Sequence, residues 1–309
     1  MSKSMMTMTL IMLTSTALAV EQSPQTVAQS PYTAAEAGAW ATESRTKSEF
    51  GDRFADGWSL YSHLKQEAKG GTKHTSATLP DWSGLWTRDY RPGRTVLDAF
   101  QDLDEEARLT PEYLEEWRQR QAKARQGIMY DPLSACLPTG FPRLLTSPFM
   151  REQIITPNQT WLIAEQVNEV RRVYTDGRDH IPEADRYPLW LGDSIGFWNG
   201  QRLVIHTNQL REGIFGRNAP RHSDQVEVVE IWERISAKHI DVDTWVYDRL
   251  ALRKPWYVKV RYVEQPNDDL FLRIRHWECA ENSNNQVIED ESGASVYREL
   301  NFDGSDKTQ

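Results

Sequence analysis

The chain has 309 residues, with 36 basic and 45 acidic side chains and a formal net charge of −9. Because nucleic-acid-binding domains carry clustered basic charge, this balance argues against nucleic acid as a partner. The sequence also contains 12 tryptophans, which favour either a packed aromatic core or the lining of an apolar ligand cavity.

The first 19 residues have the pattern of a secretory signal. Lys3 supplies positive charge, residues 5–16 are weakly apolar, and Ala17-Leu18-Ala19 fits the small-residue cleavage site. We therefore expect cleavage after Ala19 and a periplasmic or secreted mature protein. No later segment approaches the roughly 18 consecutive apolar residues that a membrane span needs, so no membrane span is expected.

Residues 20–78 are polar and predict a partly ordered, helical N-terminal extension without a recognisable catalytic pattern. We expect a β-barrel domain over residues 79–300 and a tail at 301–309. Within this domain Thr110-Pro111 predicts the start of a surface helix over 110–125. Threonine caps helices, and proline is tolerated at the first helical position.

Alternating apolar and polar residues predict a run of β-strands from Gln153 onward, joined by several short turns. Consecutive strands of this kind close most easily into an antiparallel up-and-down β-barrel, which removes exposed strand edges. A flattened barrel and a half-open sheet are the alternatives. The predicted strands are 153–156, 160–166, 169–175, 193–198, 201–208, 225–235, 239–247, 256–264, 270–277 and 294–300.

Asn199-Gly200 is a strong signal for a two-residue type I′ turn, which fixes the register of the strands on either side. This register places Asp193 opposite His206, where a carboxylate would raise the imidazole pKa and fix its tautomer. A structural salt bridge explains the pair equally well. The hairpin face that carries both residues mixes polar and apolar side chains, which is typical of a barrel with a ligand cavity.

Four residues are candidates for catalysis in such a cavity. His206, oriented by Asp193, would move a proton, while Tyr174 and Arg172 would steady a developing oxyanion. For a further candidate, Glu230, an outward-facing charge is the simpler interpretation. The residues expected to contact a ligand are Trp198, Phe197, Arg202, His222, Glu230, Trp232 and Trp256.

Two other kinds of site are weaker hypotheses. Ser194 or Ser223 could join a histidine and an aspartate in a serine-hydrolase triad. His180, His206 and His222 could bind a metal with an acidic neighbour, but they lack the spacing of metal-binding motifs. The chain has no glycine-rich phosphate or dinucleotide loop. No metal and no cofactor are therefore expected.

Cys136 and Cys279 are the only cysteines. In an oxidising compartment such a pair favours a disulfide, and two buried free thiols are the alternative. Two cysteines give no spacing pattern that would decide between them.

Several short motifs lie between residues 80 and 282: Asp81-Trp-Ser-Gly-Leu-Trp86, Cys136-Leu-Pro-Thr-Gly-Phe-Pro-Arg143, Arg171-Arg-Val-Tyr-Thr-Asp-Gly-Arg178, Gly192-Asp-Ser-Ile-Gly-Phe-Trp198, His222-Ser223, Lys254-Pro-Trp256 and Glu278-Cys-Ala-Glu-Asn282. Together they resemble a family of exported proteobacterial proteins without an assigned biochemical function. The resemblance implies a lipocalin-like barrel and indicates no substrate. The family has His at the position of Asp193 and Asp at the position of His206, an exchange that suits a cross-strand pair.

The sequence thus predicts an exported β-barrel that holds a small apolar or aromatic molecule. The predicted activity is cofactor-independent acid/base chemistry of the lyase, isomerase or hydratase type. The alternative is a non-catalytic periplasmic carrier in which the same groups fix a ligand. A structural envelope protein is a third interpretation, and it predicts no cavity. The sequence does not indicate the oligomeric state.

Overall fold

The computed structural model describes most of the chain between residues 33 and 297. The predicted signal peptide and C-terminal tail lie outside the described residues, as does Cys279. Cys136 is described and is disulfide-bonded. The described ranges are 33–89, 108–128, 131–216, 219–265, 273–278, 287–289, 292–293 and 295–297.

The described residues are mainly β-structure. Nine strands form a closed β-barrel, which confirms the predicted barrel class, and four short strands form two hairpins outside it. The strands are β1 Leu85–Arg88, β2 Arg151–Ile155, β3 Gln159–Ala164, β4 Val170–Tyr174, β5 Asp193–Asn199, β6 Arg202–Asn208, β7 Gly213–Ile214, β8 Arg221–His222, β9 Glu227–Ser236, β10 His239–Tyr247, β11 Trp256–Glu264, β12 Val287–Glu289 and β13 Ser295–Tyr297.

Neighbouring strands around the barrel follow the order β1-β11-β10-β9-β6-β5-β4-β3-β2. Every neighbouring pair is antiparallel except β4 and β5, which run parallel. The barrel is therefore mixed, whereas the sequence predicts one that is antiparallel throughout. Parallel neighbours need a long crossover, and the connection over residues 175–192 provides it.

The strand that closes the barrel is not predicted by the sequence. Leu85–Arg88 pairs with both β2 and β11, although its sequence indicates only the entry into the folded domain. The predicted strand 270–277 does not form over its described part, because residues 273–278 have no regular structure. The edge of β11 is already occupied by β1. The predicted last strand corresponds to β13, which pairs with β12 outside the barrel.

Alternation along the strands divides the apolar side chains between the barrel interior and its outer face. In the interior core Trp232 stacks on Trp82 and on Tyr262, with ring centroids 6.1 and 5.4 Å apart. A second apolar cluster on the outer face contains Ile195 and Phe197. Core packing is therefore one use of the abundant tryptophans.

Two N-terminal helices cover the outer apolar cluster. α1 spans Ala34–Gly51 and α2 spans Gly57–Glu67, and capping boxes at Thr33 and Asp56 begin them. Leu60 of α2 is fully buried in the cluster. The polar N-terminal extension is therefore docked on the barrel wall over its described part.

A third helix lies at the edge of the core. α3 spans Pro111–Ala124 and follows the N-cap residue Thr110, which is where the sequence predicts a helix start. Its Leu114 and Trp117 pack against the interior core cluster. Among the described helices, none combines the length and apolar character needed to cross a bilayer.

Candidate functional site

Four polar side chains form a continuous hydrogen-bonded row on the outer face of the barrel. Asp193 Oδ2 lies 2.6 Å from His180 Nδ1. His180 Nε2 lies 2.7 Å from His206 Nδ1, and His206 Nε2 lies 3.0 Å from Glu227 Oε2. We call this row the Asp–His–His–Glu chain. Asp193 and His206 thus belong to one unit, but they are joined through His180 and not directly.

The hairpin that carries Asp193 and His206 has a different register from the predicted one. Its turn is Gly200-Gln201, one residue later than expected, and Gly200 has φ +60° as the first position of a type II′ turn requires. Asp193 therefore faces Asn208 instead of His206. A shift of two residues keeps each side chain on its face. The two residues consequently remain diagonal neighbours, and the His180 ring lies between them.

The row is mostly shielded from solvent. The side chains of His180 and Asp193 are 7% and 9% exposed, that of His206 is 1% exposed, and that of Glu227 is 29% exposed. Glu227 is thus the end of the Asp–His–His–Glu chain that a ligand can reach.

The hydrogen-bond count fixes the charge of the Asp–His–His–Glu chain. Its three contacts need three protons, whereas two neutral imidazole rings supply only two. With both carboxyl groups ionised, one ring must be an imidazolium. Burial lowers the pKa of His206, and its hydrogen bond to Glu227 only partly opposes this. In that state the geometry places the additional proton on His180, because its ring lies between the Asp193 carboxylate and His206 and can donate to both.

Asp193 is the fixed anion at the buried end. Burial raises its pKa, but the hydrogen bond from His180 and a second one from the Ile181 N–H outweigh burial, so the pKa lies below its ordinary value. The His180 ring is therefore held between a carboxylate and a neutral imidazole.

The N-terminus of α2 fixes Glu227 at the other end of the Asp–His–His–Glu chain. The Trp58 N–H donates to Glu227 Oε2 at 2.8 Å, which is the interaction that the free N–H groups of a helix start favour. The Trp58 ring covers His206 and His180 with centroid distances of 5.4 and 6.0 Å. Within the described residues Glu227 Oε1 accepts no hydrogen bond. This oxygen is therefore available to a ligand.

Glu227 lines an open cleft of about 950 Å³. The cleft lies at the barrel end where β6 and β10 stop and β9 and β11 begin, and the crossover that carries His180 forms one wall. Its volume is within the range of small-molecule sites. Side chains of both charges line it, among them Arg186, Arg249, Arg253, Glu183, Asp224 and Asp248.

Three predicted ligand-binding residues lie inside the barrel core. Glu230 is fully buried, forms an ion pair with Arg171, and accepts a hydrogen bond from Trp232 Nε1 at 3.0 Å. Trp198 packs on Trp82 with a centroid distance of 5.3 Å. The cavity beside Arg171 measures only about 10 Å³, which is room for about one water molecule. These side chains therefore fill the interior at this place and leave no room for the apolar or aromatic molecule that the sequence predicts there.

Four other predicted residues lie on the outer face, away from the row of hydrogen bonds. Phe197 packs against Tyr61 of α2 at 5.4 Å, and the side chain of Arg202 is exposed at the end of the hairpin. Arg172 is exposed on β4, and Tyr174 lies beneath the Arg178 guanidinium at 4.0 Å. In the described part of the chain, none of the four hydrogen-bonds to the Asp–His–His–Glu chain.

The last two predicted residues pack around one ring. His222 and Trp256 contact Phe215 with centroid distances of 5.3 and 5.0 Å. His222 Nδ1 donates to the Ser223 carbonyl oxygen at 3.0 Å. Burial lowers the pKa of His222, so it is a neutral histidine of the core.

The described residues form neither the serine-hydrolase triad nor the metal site that the sequence suggests as weaker hypotheses. Gly192-Asp-Ser-Ile-Gly196 has the G-x-S-x-G spacing, but Ser194 lies in a strand and bonds to Thr207 at 2.9 Å inside the barrel. Ser223 Oγ donates to Asp248 at 2.8 Å. Neither serine bonds to a histidine through its hydroxyl among the described residues. Over the same residues, no group of three or more His, Cys, Asp or Glu side chains could hold a metal ion.

Sequence reasoning misses three parts of the site. It indicates a loop histidine or a metal ligand at His180, an ordinary strand residue at Glu227, and part of a non-catalytic extension at Trp58. A weak signal exists for His180, since it follows a strand and precedes Asp193 in one polar connection. No local signal marks Trp58 or Glu227, because their contact joins segments far apart in the chain.

No protein-family model matches the chain, and no curated protein matches it. A functional assignment therefore has to be argued from the chemistry of the site.

Proposed function

We propose that the protein binds a small molecule in the cleft at the barrel end and moves a proton on it. The chemistry is cofactor-independent acid/base catalysis of the lyase, isomerase or hydratase type. The observation that supports this is the Asp–His–His–Glu chain, which ends on Glu227 at the wall of a cleft of about 950 Å³.

In this proposal Glu227 is the catalytic residue that touches the ligand. Trp58 N–H and His206 Nε2–H both bond to Oε2, so Oε1 remains free to accept or return a proton. Because these donors hold the carboxylate in one orientation, little reorganisation is needed when the ligand reacts. His206 and His180 are positioning residues that act through Glu227.

The lining of the cleft indicates the class of ligand. Apolar side chains such as Leu210 and Leu252 lie beside Arg186 and Arg253. Because the lining includes both basic and acidic side chains, a molecule with an apolar part and polar or charged groups suits this mixture better than a purely apolar one. The proposal therefore moves the ligand from the barrel interior, where the sequence places it, to the end of the barrel.

The proposal also includes the export of the protein and the family resemblance that the sequence predicts. We propose a lipocalin-like scaffold in an exported protein, as the motifs between residues 80 and 282 imply. The closed barrel supports this scaffold, and the parallel pair of β4 and β5 is a departure from it.

A non-catalytic carrier is the second candidate. It is favoured by the complete hydrogen bonding of both imidazole rings, which a purely structural role also explains. In a carrier the charged cleft fixes the ligand, and Glu227 serves only as an acceptor.

Deuterium incorporation separates the two functions even when the substrate has not been identified. Wild-type protein and E227Q are incubated in D₂O with a mixture of small carbonyl compounds and hydroxy acids, and mass spectrometry reads the products. Wild type should incorporate solvent deuterium into its substrate. E227Q should do so about 10²–10⁴-fold more slowly, as expected for loss of a general base.

Glu233→Gln is the matched control, because it makes the same change at an exposed position on the same face of β9. This variant should keep the wild-type rate. Equal exchange by wild type and E227Q would contradict the role of Glu227. Binding of one unchanged compound by all three proteins would establish the carrier instead.

A further inference from the structure

Within the part of the chain that the structure describes, the barrel interior contains a cation without a carboxylate partner. Arg151 is 5% exposed, and its guanidinium donates to Tyr262 Oη at 2.9 Å and to the carbonyl oxygens of Leu144 and Ser147 at 2.9 and 3.0 Å. All three acceptors are neutral. No carboxylate of the described residues pairs with Arg151, so its buried charge is offset only by these dipoles and by the face of the Tyr262 ring, whose centroid lies 4.6 Å from the guanidinium carbon.

A second guanidinium of the interior already has its anion. Arg171 is 2% exposed and forms an ion pair with Glu230. It also donates to Thr207 Oγ1 at 2.6 Å and to Ser194 Oγ at 3.1 Å. Together with Arg151, this group has two positive charges and one negative charge. Among the described residues, Arg151, Arg171 and Glu230 thus leave one positive charge of this group without a carboxylate partner.

Both arginines keep a donor without a partner. Arg151 Nε and Arg171 Nη1 are buried and make no hydrogen bond to any described residue, and the same holds for Gln153 Oε1. The three residues line one cavity of about 10 Å³ together with Phe141, Trp232 and Glu152. Glu152 is exposed and alternates with the inward-facing Arg151 and Gln153 along β2. A Gln153 amide turned by 180° would present its NH₂ group there, since the oxygen and nitrogen of a side-chain amide occupy nearly the same space in either orientation.

We propose that this cavity binds one small monovalent anion of the size of chloride. Arg151 Nε–H and Arg171 Nη1–H would donate to it, and the ion would neutralise the positive charge of this group that lacks a carboxylate partner among the described residues. The cavity has space for about one water molecule. Chloride is somewhat larger, so the Arg151 and Gln153 side chains would shift slightly to admit it. A water molecule would satisfy the two N–H groups but would leave the charge uncompensated. The site lies inside the barrel, so it does not depend on the proposed function of the cleft.

Bromide replaces chloride and can be located directly. Crystals of the full chain prepared in sodium bromide should show an anomalous bromine peak between Arg151 Nε and Arg171 Nη1. Density for a water molecule at that place, without an anomalous peak, would overturn the proposal.

Thermal unfolding tests the same site in solution. At constant ionic strength, replacing sodium gluconate with sodium chloride should raise Tm, because an ion that binds only the folded state stabilises it by mass action. R151Q should remove this difference. Arg172→Gln, the matched control on the exposed outer face of β4, should keep it. An equal Tm for wild type in both salts would overturn the proposal, and this comparison still decides if R151Q does not fold.

Discussion

His180 joins Asp193 to His206, and without it these residues form no common unit. Its removal leaves Asp193 as a buried carboxylate without a cationic partner, which is the costly half of a broken ion pair. The site thus depends on one histidine of a crossover connection. Neither strand of the hairpin supplies that residue.

We therefore predict that H180Q lowers the free energy of unfolding by about 2–4 kcal/mol in urea denaturation. His276→Gln, at an exposed position, should change it by less than about 0.5 kcal/mol. The double variant H180Q/D193N should recover part of the loss because it removes the unpaired charge. Equal stability of H180Q and H276Q would show that the Asp193–His180 contact is not formed.

The buried carboxyl group of Glu169 gives the stability of the folded protein a distinct pH dependence. Burial raises its pKa to about 7 from an ordinary value of 4.5, although the Gly140 N–H donates to it at 3.2 Å. Between pH 4.5 and about pH 7, the folded state binds more protons at Glu169 than the unfolded state. Its contribution to stability is therefore complete below pH 4.5 and is lost as the pH rises through 7.

Replacement by glutamine should remove this loss. We predict that E169Q is more stable than wild type by about 2–3 kcal/mol at pH 8 and nearly equal to it at pH 4.5. Denaturant unfolding at both pH values measures the difference. The E233Q control should follow wild type at both. An E169Q curve parallel to that of wild type would contradict the raised pKa.

At the scale of elements, the start of α2 is fitted closely to β9. A Cβ atom added to Gly57 would lie 2.9 Å from Glu227 Cβ and 3.2 Å from His206 Nε2. Only glycine therefore allows the helix to approach Glu227 closely enough for the hydrogen bond from Trp58. The N-terminal extension thus contributes to the site through its backbone.

Gly57→Ala should consequently push α2 away from Glu227. We expect a loss of about 1–3 kcal/mol in stability, as for overpacking at a buried contact, together with slower deuterium incorporation. Gly38→Ala in α1 is the control, because a Cβ there meets no atom within 4 Å. It should stabilise the protein by about 0.5–1 kcal/mol through helix propensity. Similar effects of both changes would contradict the close contact.

The elements with clear alternation and short flanking turns are predictable. The bounds of β10 and β11, His239–Tyr247 and Trp256–Glu264, are those that the sequence predicts. β1 is not predictable, because four residues form a strand only where β2 and β11 offer their edges. The parallel pairing of β4 and β5 likewise depends on the path of a crossover, which local patterns do not encode.

The site is predictable only in part for the same reason. Alternation places Asp193 and His206 on one face of a hairpin. This placement is correct although the predicted register is wrong by two residues, because a shift of two keeps each side chain on its face. The contacts of His180 and Glu227 depend on tertiary structure. Whether the shared face points inward or outward also depends on which side α2 covers.

At the scale of the whole molecule, the barrel wall separates two polar groups that share one hairpin. Asp193 and His206 of β5 and β6 point outward into the Asp–His–His–Glu chain. Their sequence neighbours Ser194 and Thr207 point inward to Arg171. Because successive side chains of a strand point to opposite faces, the Asp–His–His–Glu chain and the interior group around Arg171 lie on opposite sides of the barrel wall.

The most direct test of the site is the protonation of its two histidines. Nitrogen NMR of ¹⁵N-histidine-labelled protein, assigned with H180Q and H206Q, distinguishes an imidazolium from each neutral tautomer. With Asp193 and Glu227 ionised, the hydrogen-bond count and the position of His180 beside Asp193 predict an imidazolium at His180 and a neutral ring protonated at Nε2 at His206. Two neutral rings together with two ionised carboxyl groups, as the carboxyl carbon shifts of Asp193 and Glu227 would show, supply only two protons for three contacts and would contradict the Asp–His–His–Glu chain.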